Sequence, residues 1–97
     1  MSTLDRIKQT LKQNKRSLKQ EFKIKELGIF GSFVRGEQNK NSDVDILVEF
    51  NQTPGLFDFL KIENRLSDIL KRRVDLVMKG SLKPTIGKHI MREVVYV

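Results

Sequence analysis

The sequence contains no cysteine and a single histidine, His89. Disulfides and thiolate metal sites are thereby excluded. One imidazole cannot build a histidine-rich zinc site, so any bound metal must be held by oxygen. No apolar run approaches the roughly 20 residues that a bilayer-spanning helix needs. The N-terminal stretch is polar and basic, without the apolar core of a signal peptide. A cytoplasmic protein with no membrane partner is expected. Internal repeats and low-complexity linkers are also missing, and 97 residues suffice for a modest core, so one domain over residues 1–97 is expected. Acids are in deficit: 19 Lys and Arg stand against 12 Asp and Glu, a net charge of +7. That balance favours polyanionic partners such as nucleotides, RNA or an acidic protein face, without choosing among them. Much of the excess lies in the first helical segment, where a solvated basic face explains it. Nucleic acid is compatible with the charge but not required by it.

What is present alternates between helical and extended patterns. From Ser2 to about Glu21, Leu4, Ile7, Leu11 and Leu18 recur at helical spacing with lysines between them, and Ser2 or Thr3 can cap the helix with Asp5 near its positive end. Residues 24–30 read as a strand in which Gly28 marks a close backbone approach or a local irregularity. Gly31-Ser32 opens a short helix, Gly36 to Asn41 is a polar loop, and residues 44–50 form a second strand covered on both faces. Thr53-Pro54-Gly55 leads into a helix, with Pro54 in its first turn. Leu56, Phe59, Leu60, Glu63, Leu66, Ile69 and Leu70 give that helix its periodicity, a stripe expected to face the core, and Lys71-Arg72-Arg73 suit its negative end. A third strand, 74–78, precedes a break at Gly80-Ser81. A helix then runs from Pro84 to about Arg92, with Ile86, Ile90 and, at the margin of its stripe, Met91 facing the core. An extended segment, 94–97, ends the chain, and Tyr96 and His89 read as packing or surface residues. The fold class is α/β (α+β), a small mixed sheet flanked by helices.

Two stretches carry chemistry. In a strand, residues two apart share a face, so Asp43 and Asp45 at the start of the second strand project together. Such a pair repels itself unless a cation lies between, and its hard oxygens suit Mg²⁺ or Mn²⁺. Gly31-Ser32, ending the first strand, would aim free backbone N–H groups and a hydroxyl outward, a place for phosphate. Ser32 can alternatively cap the short helix. Arg35, three residues on, shares roughly the same side and can reach phosphate oxygens or an acidic neighbour. Asp75 alone would be an edge or solvent residue; beside Asp43 and Asp45 it completes three carboxylates.

Gly31-Ser32, Arg35-Gly36, Ser42-Asp43-x-Asp45 and the later acidic strand Val74-Asp75-Leu76-Val77 together resemble the nucleotidyltransferases of the DNA polymerase β superfamily. Within it the chain is similar to the minimal nucleotidyltransferases paired with HEPN-domain toxins, over nearly its whole length. The resemblance implies the polymerase β-like core, with Asp43, Asp45 and Asp75 as catalytic and metal-binding acids. Gly31, Ser32 and Arg35 would bind the nucleotide. It further implies Mg²⁺ or Mn²⁺ as cofactor, ATP as substrate, and transfer of AMP to a tyrosine of a HEPN ribonuclease toxin, which silences it. Nucleotide transfer to the end of a tRNA and non-catalytic masking of the toxin are the alternatives.

Overall fold

The computed structural model describes residues 1–97. Helix α1 (Thr3–Phe22) leads into β1 (Ile24–Phe30) and the one-turn helix α2 (Ser32–Arg35); β2 (Val44–Phe50), α3 (Leu56–Leu70) and β3 (Val74–Met78) follow. A 3₁₀ turn, Lys79–Ser81, then connects to α4 (Pro84–Glu93) and the short β4 (Val95–Tyr96). The sheet order is β3-β2-β1-β4, with β2 and β3 parallel and the other pairs antiparallel. The expected mixed sheet is therefore present.

Local chemistry accounts for the element ends. Ser2 accepts the Asp5 N–H at 3.1 Å while the Asp5 carboxylate accepts the Ser2 N–H, a reciprocal capping box that starts α1. Both long helices end on lysines in the left-handed region, Lys23 at φ 56° and Lys71 at φ 54°. At the start of α3 the expectation shifts by a residue or two. Gly55 is the N-cap and the helix begins at Leu56, so Pro54 lies outside the first turn.

Strand alternation divides the core into two unequal layers. Ile29, Ile46, Val48 and Leu76 face α1 and α3, meeting Ile7, Leu11, Leu18, Ile62 and Leu66 in the main core. Phe30 and Leu47 face the other way and meet Ile90 of α4, with Val77, Leu82 and Val94 around them. Gly28 is needed for that second layer, because a Cβ there would lie 2.5 Å from Val94 Cγ2. The sheet's irregularity falls elsewhere, between Ile24 and Glu26.

Four residues expected in the core are exposed: Leu56, Leu60, Ile86 and Met91. On a helix advancing 100° per residue, positions 56, 60, 63 and 67 form one line, distinct from the buried line of Phe59, Ile62 and Leu66. That line follows the open edge of β3. Ser67 Oγ accepts the Val74 N–H at 3.1 Å and Glu63 Oε2 accepts the Leu76 N–H at 2.9 Å, so side chains satisfy these two edge donors. Leu60 and Leu56 continue the same line toward and past the strand's end at Met78. In α4, only the turn carrying Ile90 meets the sheet, which leaves Ile86 and Met91 uncovered. No helix is long and apolar enough to cross a membrane.

Candidate active site

The site forms at one end of the sheet because of its strand directions. β1 ends where β2, β3 and β4 begin, so Gly31, Asp43, Asp45, Asp75 and Glu93 gather at one rim. The parallel register sets Asp45 beside Asp75, and the antiparallel one sets Phe30 beside Asp45. Asp45 shares its parity with Leu47, so its carboxylate lies on the α4 face of the sheet. Val44, fully buried between two half-buried acids, fits an alternation in which Asp43, just before β2, shares a face with Asp45.

Gly31 is fitted against this carboxylate. Its φ of 81° and ψ of −152° fall in a region open essentially to glycine alone, and a Cβ built there would collide with Asp45 Oδ2. The turn then closes through Val34 and Arg35 N–H groups donating to the Gly31 carbonyl at 3.0 and 3.1 Å. The N-cap of α2 is Gly31 itself and no side chain caps the helix. Ser32 is thus its first residue and not its cap, which leaves the hydroxyl for another partner.

The electrostatics are those of crowded carboxylates. The Asp45 carboxyl is pushed up from 3.8 to about 6, first by its partial removal from water and then by the negative charges of Asp75 and Asp43. Asp75 is the exposed member. Asp43 turns Oδ1 toward Arg73 Nε, 3.6 Å away. No three acidic or histidine side chains already converge as a closed ligand cluster. The donor set nevertheless fits a hard divalent cation, because a cation is what would relieve the repulsion felt at Asp45 and the available atoms are all carboxylate oxygens.

Arg35 reaches acidic neighbours. Its Nε donates to Glu37 Oε1 at 2.7 Å, and Nη1 donates to both oxygens of Glu93 at 3.0 Å. Glu93 Oε1 also accepts the Gly31 N–H at 2.9 Å. Sequence reasoning missed Glu93, since it lies 58 residues from Arg35 with no motif to mark it. On the opposite side of the acids, an open cleft of about 700 Å³ is lined by Lys40, Asp43, Lys71, Arg72 and Arg73 among others. Arg72 also stacks over the Phe33 ring, 5.4 Å from its centroid.

A model of the nucleotidyltransferase domain matches residues 11–97. The chain belongs to this nucleotidyltransferase family. Among its relatives is the protein adenylyltransferase MntA of Thermococcus cleftensis, 50% identical over 97 residues, an overlap spanning 100% of this chain and 98% of MntA. A solved structure described as a candidate minimal nucleotidyltransferase superposes with a TM-score of 0.75 at 30% identity, over 98% of this chain and 95% of the other. The same fold recurs, at a TM-score of 0.67 and 20% identity over 91% of this chain and 69% of the other, in a structure of a tri-AMPylated Shewanella oneidensis HEPN toxin with its MNT antitoxin. The nucleotidyltransferase core inferred from Gly31-Ser32, Asp43-x-Asp45 and Asp75 is therefore the one the chain adopts.

Proposed function

We propose that this nucleotidyltransferase transfers AMP from ATP to a tyrosine hydroxyl of a HEPN-type ribonuclease toxin and so acts as its antitoxin. The observation that carries the reading is the adjacency of Gly31, just past the end of β1, with Asp45 of β2 and Asp75 of β3, the glycine packed on the Asp45 carboxylate. The full-length relationship to a protein adenylyltransferase supports protein as the acceptor class. The HEPN toxin bound by a similarly folded antitoxin supports the partner.

In this reading Asp43, Asp45 and Asp75 would hold Mg²⁺ or Mn²⁺. Bound divalent ions would supply charge neutralisation around the α-phosphorus and a more acidic acceptor hydroxyl. The Ser32 hydroxyl and the leading N–H groups of α2 bind the β- and γ-phosphates, with Arg35 assisting through its guanidinium. This fixes the leaving group at the β1 end of the rim. In-line displacement then brings the acceptor from the β3 side, where the basic cleft opens. The acceptor oxygen forms a bond to the α-phosphorus, the bond to the bridging oxygen breaks, and pyrophosphate departs. Asp75, the most exposed of the acids, takes the hydroxyl proton and passes it to solvent.

The partner chain completes the site, because the rim provides no enclosed second pocket for a tyrosine. The test is incubation with ATP labelled in its adenine, Mg²⁺, the cognate HEPN toxin and bulk tRNA. Label on the toxin is expected. Label on tRNA would replace the acceptor, and inhibition of the toxin with no label anywhere would reduce the protein to a masking partner.

A further inference from the structure

Glu93 is held by more contacts than a helix end requires. As the last residue of α4 it is separated from β4 by Val94 alone, and Ile90 anchors the same turn between Phe30 and Leu47. Its side chain is only 22% exposed, against 49% for Arg35. One carboxylate oxygen takes the Gly31 N–H and an Arg35 N–H together, and the second oxygen takes Arg35 again. The carboxylate therefore cross-links the first amide of the phosphate turn to the arginine that follows it.

This arrangement leaves Arg35 with a defined unused edge. Its Nε serves Glu37 and its Nη1 serves Glu93, while Nη2 makes no hydrogen bond. A guanidinium is planar, so fixing two of its nitrogens fixes where the third points. Pairing with Glu93 also cancels one carboxylate charge that would otherwise repel a triphosphate. Glu37 is far more exposed, at 60%, and is screened by water.

The geometry points to Glu93 as a positioning residue for the nucleotide: it holds the Gly31 turn and turns the free Nη2 of Arg35 toward the β- and γ-phosphates. The inference rests on the nucleotidyl-transfer reading above. The contrary physical reading is an internal anion that occupies the turn and competes with ATP, and the two predict opposite signs. Partial burial and the anchored last turn of α4 favour positioning, since a competitor must be free to leave.

The test measures ATP affinity with Mg²⁺ by thermal shift, together with KM for ATP in AMP transfer to the toxin. Glu93→Ala, Arg35→Ala and the double variant are compared with wild type. Glu93→Ala is expected to weaken ATP binding roughly tenfold, the size of one lost charge-assisted hydrogen bond, with the loss in KM for ATP and not in kcat. Because Glu93 acts in part through the Arg35 guanidinium, the double variant should lose clearly less than the two single losses combined. Glu93→Gln retains an acceptor for the Gly31 N–H, and it serves as the folded comparison should Glu93→Ala unfold. Tighter ATP binding in the Glu93 variants would overturn the inference in favour of competition. Unchanged binding, or fully additive losses, would overturn it as well while leaving the transferase reading intact. A wild type that neither binds ATP with Mg²⁺ or Mn²⁺ nor transfers AMP would bring down both.

Discussion

Replacing Asp45 by asparagine separates what this carboxylate does for folding from what it does for chemistry. In the folded protein its pKa lies at about 6 against an ordinary 3.8, because burial and the charges of Asp75 and Asp43 disfavour ionisation. Below 3.8 the folded and unfolded chains both hold the proton and no penalty exists. Between 3.8 and 6 the unfolded chain releases its proton first, so stability falls as pH rises; above 6 the penalty is complete. At about 1.4 kcal/mol per unit the shift corresponds to ~3 kcal/mol at face value. A half-buried carboxylate in contact with water retains less, about 1–2 kcal/mol. Asparagine keeps the shape and carries no charge. In EDTA at pH 7.5 the Asp45→Asn variant should therefore be the more stable protein, melting roughly 5–10 °C higher for a domain of this size. The advantage should shrink through pH 5 and vanish below pH 4. With Mg²⁺ and ATP the order should reverse, as only the wild type gains a ligand, and AMP transfer by the variant should fall on the order of a hundredfold or more. Thermal melts by circular dichroism across pH, paired with a transfer assay, provide the test. A variant less stable at pH 7.5 in EDTA, or an advantage independent of pH, would refute the electrostatic reasoning; retained transfer would refute the metal assignment.

The remaining predictions address the turn and the sheet edge. Gly31→Ala forces a side chain into a glycine-only backbone region and onto Asp45 Oδ2, so it should cost about 1–3 kcal/mol in denaturant unfolding and abolish the ATP-induced thermal shift. Glu63→Ala strips the acceptor from the Leu76 N–H at the open edge of β3 and should destabilise by about 1–3 kcal/mol. Because Glu63 lies away from the Gly31 turn, that variant's ATP affinity at a temperature where it is folded should match wild type; a weakened affinity would show that the β3 edge and the site are coupled.

Much of this fold was legible because its signals are local. The 3.6 period of Ile7, Leu11 and Leu18, the capping pattern Ser2 to Asp5 and the apolar runs that end at Gly31 and start after Asp43 each depend on neighbours a few residues apart. The rim of acids was legible for a related reason: Asp43 and Asp45 are in register by strand geometry alone, and Asp75 falls beside Asp45 once β2 and β3 are parallel. What escaped is what depends on the partner element. Leu56 and Leu60 look like core by spacing, yet they extend a line of α3 that meets β3 only at Glu63 and Ser67. Ile86 and Met91 look equally apolar, but α4 touches the sheet only through the turn of Ile90. Ser32 stays open between cap and phosphate ligand until the backbone of Gly31 is known, and Glu93, which no motif marks, comes to notice only through its reach to Gly31 and Arg35.

The central claim is catalytic transfer, and intact-protein mass spectrometry of the HEPN toxin tests it most directly. The toxin is mixed with ATP, Mg²⁺ and substoichiometric amounts of this nucleotidyltransferase, and its mass and RNA cleavage are followed together. The account predicts that toxin molecules in excess over the enzyme each gain one or more AMP groups on tyrosine as cleavage stops, and that the Asp45→Asn protein binds the toxin but leaves its mass unchanged. Inhibition that needs one full equivalent of protein, with the toxin's mass unaltered, would contradict it.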